Sequence, residues 1–215
     1  FDNISVRLAE EDRSVNGNGL QVFGSITKNP VATGADLVAY SGFSGSNYLH
    51  QPYNSDLDFG TGDFCVMGWF KHITSTSTQY MAVRTDGSNV SFQLGMTSTN
   101  DLLFVINSDG IPARTAASAY ADNTWNHVVF VREGGVAKIY LNGALANNIF
   151  SGTSTSTITL SDASFYLGDS PVSNAFVGSL ALWRISATAP SPEQIKKIYE
   201  DEKFLFQENS QATLY

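Results

Sequence analysis

Two runs of β-branched and aromatic residues, joined by tight turns, constrain the fold of this chain more than any other feature. Residues 128–132 and 136–141 are separated by Glu133-Gly134-Gly135, a short turn of the kind that closes a β-hairpin. Asn142-Gly143 follows directly and supplies residues that tolerate positive φ, as a second tight turn requires. The stretch therefore predicts an antiparallel β-meander.

Other strand candidates recur at a spacing of roughly ten residues, separated by turn residues such as Asp86-Gly87 and Asp109-Gly110. They lie at 1–8, 21–33, 38–40, 47–51, 64–72, 79–84, 90–96, 102–107, 156–160, 164–168 and 176–185. A helix is predicted only after Ser191, which caps a first turn containing Pro192 and completes a capping box with Gln194. This order of elements favours an all-β, antiparallel two-sheet sandwich with a short C-terminal helix.

The Ser- and Thr-rich stretch at 151–164 has two interpretations. It has the composition of a flexible linker. However, Ile158 and Leu160 alternate with Thr157 and Thr159, a pattern that favours a solvent-facing edge strand. We therefore predict an edge strand here.

Charge and cysteine content exclude several classes of function. Net charge is −8, which repels phosphate backbones and anionic lipid, so we expect neither nucleic acid nor membrane insertion. The single cysteine, Cys65, rules out an internal disulfide and lies in an apolar run, which predicts a buried structural thiol. No apolar run approaches the ~18 residues of a transmembrane helix.

The ends of the chain indicate a segment of a longer polypeptide, because it begins Phe1-Asp2-Asn3 without a signal peptide. We predict that residues 1–13 are a strand or the tail of a preceding domain with its linker. Residues 14–207 would form one domain, and residues 208–215 a linker to a following domain.

Four phrases, in order, resemble laminin-G-like domains of the concanavalin A-like lectin/glucanase class. The first is an L-x-F-G-x-G-D-F-x-x-x-x-W-x-K phrase over residues 57–71, and the second is the W-x-H-V of residues 125–128. The third is the G-x-x-x-x-Y-x-N-G of residues 135–143. The fourth runs from Phe176-x-Gly178-Ser179-Leu180 through Trp183-Arg184-Ile185 to Ser191-Pro192-Glu193-Gln194-Ile195, with Ala181 where the family often carries an acidic residue.

The resemblance implies a jelly-roll fold that usually displays ligand-binding loops and only sometimes carries out chemistry. The sequence around the predicted C-terminal helix is similar to that of domains in bacteriophage tail or other virion proteins. We therefore expect a binding or adhesion module at a virion surface or outside the cell, with a glycan or host-surface ligand, neighbouring virion segments and trimers as partners. A purely structural domain of such a particle is the alternative, and a secreted bacterial multidomain protein is the rival source.

Glucanase chemistry is not expected. Glucanases of this class need two carboxylates about 5–5.5 Å apart, which alternating acidic residues on one strand supply. The acidic runs here are Glu10-Glu11-Asp12 in a predicted linker and Glu200-Asp201-Glu202 on the predicted helix. We therefore predict a non-catalytic protein.

The resemblance also implies a calcium ion at the rim of the sandwich, held by the hard oxygen ligands that calcium prefers. The candidate ligands are Asp56, Asp58, Asp63, Asp109, Asp162, Asp169 and Asn174. Asx residues at turns also serve as plain turn formers, and that alternative stays open at each position.

Recognition of carbohydrate would need exposed aromatic rings that stack on sugars, beside polar groups that bind hydroxyls. Such residues cluster around a Ser- and Gly-rich loop: Tyr40, Phe43, Asn47, Tyr48, His50 and Tyr53. Their alternative role is that of half-buried aromatics at strand ends.

Overall fold

The computed structural model describes residues 7–8, 19–74, 76–106, 109–169 and 174–211, without the side chains of 7–8 and 147–151. Its strands are β1 (Arg7–Leu8), β2 (Gln21–Phe23), β3 (Thr27–Pro30), β4 (Val38–Ser41), β5 (Tyr48–Gln51), β6 (Phe64–His72), β7 (Gln79–Thr85), β8 (Val90–Met96), β9 (Leu102–Ile106), β10 (Gly110–Thr115), β11 (Asn126–Glu133), β12 (Val136–Leu141), β13 (Ala144–Leu145), β14 (Asn147–Ser151), β15 (Ser164–Leu167) and β16 (Gly178–Ser186). The α-helix α1 spans Pro192–Glu202, and short 3-10 helices span Ser55–Leu57 and Lys203–Phe206.

The strands form two antiparallel sheets that face each other. The nine-stranded sheet has the order β1-β2-β5-β15-β7-β8-β9-β10-β14, and the seven-stranded sheet has the order β13-β12-β11-β6-β16-β4-β3. The predicted meander is β11, β12 and β13, and Gly134 and Gly135 take positive φ in its first turn. The predicted all-β jelly-roll sandwich with a short C-terminal helix is confirmed.

The core lies between the sheets because each strand turns alternate side chains inward. Phe64, Val66 and Phe70 of β6 point into the main core, where they meet apolar residues of the nine-stranded sheet such as Phe92 and Phe104. The intervening residues of β6 point to the other face of the seven-stranded sheet.

That outer face of the seven-stranded sheet is also covered by the chain. Ile195 of α1 packs on Cys65, Met67 and Val129, which explains why β6 reads as a continuous apolar run. The Trp69 ring stacks on Phe206 at 4.1 Å between ring centroids. The predicted capping box is present, since Gln194 N donates to Ser191 Oγ and Ser191 N donates to Gln194 Oε1.

A β-bulge places the Trp183 indole over Gly68. Ala181 pairs with Trp69 and Arg184 pairs with Met67, so two residues of β16 face the single Gly68 of β6. A Cβ at Gly68 would lie 2.6 Å from the indole ring, closer than any van der Waals contact.

Replacing Gly68 by alanine is therefore expected to lower the free energy of unfolding by about 1–3 kcal/mol, because the indole must move and repack. Urea denaturation measures the change. Gly45→Ala is the matched control: its nearest neighbour would lie 3.8 Å away, and we expect less than about 0.5 kcal/mol. Equal effects of the two substitutions would contradict the account.

The predicted edge strand at 156–160 is wrong. Residues 154–160 form no strand, and the Ile158 side chain is buried in the core. Two buried arginines bind the backbone of this segment instead: Arg132 donates to the carbonyl of Ser156, and Arg84 donates to that of Ile158. The guanidinium groups thus take the place of a neighbouring strand.

Few of the terminal residues fall in the described part of the chain. Arg7 and Leu8 pair with β2 at the edge of the nine-stranded sheet, and the rest of 1–13 lies outside the described residues. In the predicted C-terminal linker, Asn209 N donates to the Thr33 carbonyl and the Ser210 carbonyl accepts from Asp36 N. Residues 212–215 lie outside the described residues. Among the described helices, none has the length and apolar character needed to cross a membrane.

Candidate functional site

The outer face of the nine-stranded sheet carries a continuous row of side chains across six strands. Each member pairs directly with the next, so all six lie on the same face. In order, the row is Gln21, His50, Tyr166, Val83, Gln93 and Val105. Leu49, Phe165 and Leu94, their immediate neighbours along the strands, point into the core. All members except Val83 keep part of their surface exposed.

Aromatic rings converge at one end of this row, and we call Phe23, Tyr48, His50 and Tyr166 the aromatic strip. Phe23 and Tyr48 are cross-strand neighbours whose rings stack at 4.9 Å between centroids and 4° between planes. Tyr166 meets Tyr48 edge-on at 5.6 Å and His50 at 4.8 Å. All four rings are half-buried, so each is held by its neighbours while one surface faces outward.

The strip is uncharged at neutral pH. Burial lowers the pKa of His50, which keeps the imidazole neutral. Burial also raises the pKa of Tyr48, with smaller contributions from Tyr166 and from the negative charge of Asp169. Its hydroxyl therefore stays protonated and available as a hydrogen-bond donor.

The other predicted ligand-binding residues lie elsewhere. Phe43 is 9% exposed and packs against Phe176 in the core, so its ring offers no stacking surface. Asn47 accepts a hydrogen bond from Ser25 N and braces the turn after β2. Tyr40 lies in β4 of the opposite sheet, under the Lys28 ammonium. Tyr53 is 44% exposed and donates to Asp58 Oδ2, in the loop between β5 and β6.

The residues predicted to bind a ligand include Tyr48 and His50 of the aromatic strip but not Phe23 and Tyr166. Tyr166 alternates with buried Phe165 and Leu167, which is a signal for an outward position, whereas the three residues of β2 show no such alternation around Phe23. The convergence of both rings on Tyr48 depends on β5 lying between β2 and β15, which are far apart along the chain.

The predicted calcium ligands are dispersed and occupied by protein donors. Asp58 pairs with buried Arg84, Asp63 accepts from Gly134 N, and Asp109 accepts from Ser156 Oγ and N. The remaining candidates lie apart. Asp56 lies in the first turn of the first 3-10 helix, which Asn54 caps, and Asp162 takes positive φ in an exposed turn. Asp169 is buried after β15, and Asn174 donates to the Thr78 carbonyl. Within the described ranges, no three His, Cys, Asp or Glu side chains form a metal-binding group. In the described part of the chain the candidates thus do not converge on one point, and a bound calcium ion stays a prediction.

Two carboxyl groups that pair with arginines, those of Asp58 and Asp101, have pKa values below their ordinary value. Burial alone would raise the pKa of Asp58, but hydrogen bonds from Tyr53 and Arg84 and the Arg84 charge lower it overall. The pKa of Asp101 is lowered in the same way by Thr97, Thr99 and Arg114, against its burial. A general acid of a glycosidase needs a raised pKa instead. These two groups therefore lack the property that protonating a leaving group requires.

Cys65, His72 and the acidic residues of α1 have structural partners. Burial raises the pKa of Cys65 to about 11, so its thiol is protonated under α1, as the predicted structural role requires. His72 is buried with its Nδ1 at 2.7 Å from Asp122 Oδ1. On α1, Glu200 and Asp201 pair with Lys203 and Lys197, and Glu202 accepts from the Trp69 indole.

Comparison with known proteins agrees with this architecture. A family model described as Laminin_G_3, concanavalin A-like lectin/glucanases superfamily, matches residues 43–196, which is most of the chain. No curated protein sequence matches the chain.

Three solved structures share the fold at low identity. Domain 4 of AbnA, a GH43 extracellular arabinanase from Geobacillus stearothermophilus in complex with arabinotriose, is 20% identical, with a TM-score of 0.62 and 82% of each chain covered. The binding domain of botulinum neurotoxin DC in complex with SialylT is 16% identical, with a TM-score of 0.68, 92% of this chain and 50% of that chain covered. A Trypanosoma rangeli sialidase in complex with the inhibitor DANA is 11% identical, with a TM-score of 0.66, 95% of this chain and 32% of that chain covered. This chain thus spans about half of the neurotoxin domain and about a third of the sialidase.

Proposed function

We propose that this chain, which belongs to the concanavalin A-like lectin/glucanase superfamily, is a non-catalytic carbohydrate-binding module of a larger protein. The observation that carries the proposal is the aromatic strip on the outer face of the nine-stranded sheet. The corresponding face of the seven-stranded sheet is covered by α1 and the residues that follow it. The strip therefore lies on the side of the sandwich that the described chain leaves accessible.

The chemistry of the strip suits a sugar. The axial C–H groups of a pyranose ring form an apolar face that packs on an aromatic ring, while its hydroxyls need hydrogen-bond partners. Tyr48 and Tyr166 supply rings and hydroxyls, and Gln21 supplies an amide beside His50. Rings that already pack on one another lose little conformational freedom when a ligand binds, which lowers the cost of binding.

Two neighbours in fold support the proposal. The arabinanase domain is a complex with arabinotriose, and the neurotoxin binding domain is a complex with SialylT. A further structure concerns botulinum neurotoxin type C, whose cell entry depends on interaction with two ganglioside molecules. The arabinanase domain is the stronger support, because 82% of its length is matched, whereas only about half of each neurotoxin domain is.

As a further part of the proposal, the module belongs to a tail or other virion protein, where it contacts a host-surface glycan. The support is the sequence from Pro192 through Asn209, which resembles that of domains in such proteins. Antibody against the domain should decorate intact particles in electron micrographs. Unlabelled particles would argue for a secreted multidomain protein.

The experiment that tests the function is a glycan array probed with the folded chain, once with calcium and once with EDTA. We expect binding to a defined set of saccharides in both buffers, because the described residues hold no preformed calcium site. Binding only in calcium would place the site at the acidic rim loops. Silence in both buffers, with folding verified by circular dichroism, would favour a structural domain of a particle.

Tyr48→Ala and Tyr166→Ala are each expected to weaken binding of an array-identified glycan at least about tenfold, which corresponds to about 1.4 kcal/mol. Tyr48→Phe should retain more affinity than Tyr48→Ala, because the stacking ring survives. Phe204→Ala is the matched control, since this ring is 49% exposed beyond α1 on the opposite side of the sandwich. Isothermal titration calorimetry measures all four variants. A loss with Phe204→Ala equal to that with Tyr48→Ala would contradict the assignment of the site.

A further inference from the structure

We infer that the row from Gln21 to Val105 takes an extended neutral oligosaccharide lying across the strands and discriminates against acidic glycans. The inference rests on the proposed function and names the ligand class of the same site. It follows from where the chain places its cations and from the length of the row.

Most Lys and Arg residues lie on the seven-stranded sheet or on the C-terminal helices, away from the strip. Of the 12 Lys and Arg residues, a majority lie on the seven-stranded sheet or the C-terminal helices: Lys28, Lys71, Arg132, Lys138, Arg184, Lys196, Lys197 and Lys203. A carboxylate or sulfate on a glycan needs such a partner, and arginine or lysine is the usual one.

The two arginines of the nine-stranded sheet whose side chains are described are already paired. Arg84 is fully buried, points toward the core and binds Asp58. Arg114 lies on β10, two strands beyond Gln93, and its Nε is 2.6 Å from Asp101 Oδ2. Neither guanidinium can accept an acidic sugar at the strip without giving up an internal carboxylate.

The strip carries no positive charge of its own. His50 is neutral, and Asp169 lies close enough to Tyr48 for its negative charge to act on the phenol. The chain as a whole carries a net charge of −8. Among the described side chains, an acidic glycan would therefore meet like charge without a compensating partner, which costs binding energy and slows association.

The row is long enough for several sugar units. Its six members span five inter-strand spacings of about 4.8 Å, or roughly 24 Å. Gln21 and Gln93 place amide groups on either side of the aromatic rings, and an amide both donates to and accepts from a hydroxyl. A chain that crosses the strands can stack on the rings and reach both amides.

The test is an array in which each neutral oligosaccharide is printed beside its sialylated or uronic-acid counterpart, with lengths from two to six sugars. We expect the neutral members to bind at least about tenfold more tightly than their acidic counterparts, because contacts between like charges cost binding energy. Affinity should rise with chain length and change little between 50 mM and 500 mM NaCl, since a neutral ligand forms no screened ion pair.

Gln93→Lys places a cation within the row and tests whether the lack of a cation there causes the preference for neutral glycans. We expect it to reduce the preference for neutral glycans at least about threefold, while Gln93→Ala leaves the preference unchanged. Tighter binding of the acidic members by the unaltered chain would overturn the inference and leave the proposed function standing. Silence across both halves of the array would overturn the proposed function itself.

Discussion

Replacing Arg132 by methionine is expected to lower the free energy of unfolding by about 3–5 kcal/mol. The guanidinium is fully buried and donates to the carbonyls of Gly60, Gly62 and Ser156 at 2.7–2.9 Å. It also lies over the Phe64 ring at 5.0 Å. Methionine fills most of the space but removes the side-chain donor from all three carbonyl groups, of which, among the described residues, only that of Gly60 keeps a backbone donor, Ile158 N. The segment that closes this end of the sandwich then loses its anchor.

Lys138→Met is the matched control for Arg132→Met. Lys138 lies on the neighbouring strand β12, is 28% exposed and pairs with Glu133. A partly exposed pair of this kind contributes about 0–1 kcal/mol. Guanidinium chloride unfolding, followed by tryptophan fluorescence, measures both changes. A loss below about 1 kcal/mol for Arg132→Met would show that solvent replaces the guanidinium and that the anchor is dispensable.

Acidification is expected to destabilise the fold steeply through His127. Burial, with a smaller contribution from the Arg184 charge, lowers the pKa of His127 from 6.5 to about 3. Between these two pH values the unfolded chain binds a proton that the folded chain does not. Stability therefore falls as pH falls from about 6.5 to about 3, by up to about 1.4 kcal/mol per pH unit, and is fully present above 6.5.

His127→Phe is expected to remove this contribution to acid sensitivity. The ring contacts both Trp69 and Tyr199, and neither of its nitrogens has a hydrogen-bond partner among the described residues, so phenylalanine suits the same space. At pH 7 we expect its stability to equal or exceed that of the unaltered chain, within about 1 kcal/mol. His50→Phe is the control, because its half-exposed ring should leave the steep acid loss in place. Urea unfolding from pH 7 to pH 3.5 gives both slopes. Parallel slopes for His127→Phe and the unaltered chain would contradict the account.

The parts of the fold that local sequence predicted are those set by local chemistry. The turn at Gly134-Gly135 needs residues that take positive φ, and the helix needs the reciprocal bonds of Ser191 and Gln194. Both requirements are visible in a few consecutive residues. Fold class followed because such signals repeat along the chain.

The edge strand was wrongly predicted because residues far along the chain supply the hydrogen-bond partners of that segment. The alternation at Thr157–Leu160 is a valid strand signal, but Arg84 and Arg132 bind the carbonyls that a neighbouring strand would have used. Asp58 has the chemistry of a calcium ligand, and the structure adds that it pairs with buried Arg84; its role as a ligand stays a prediction. The strip was half predicted for the same reason: Tyr48 and His50 are close in sequence, whereas Phe23 and Tyr166 join them through strand order.

The most direct test of the central claim is an aromatic-region NMR titration of the folded chain with the oligosaccharide that binds most tightly on the array. The account predicts that the ring signals of Phe23, Tyr48, His50 and Tyr166 shift together, while those of Trp69 and Phe206 on the opposite side stay fixed. Shifts confined to Trp69, Phe206 and the α1 side would contradict it and place the ligand on the other sheet.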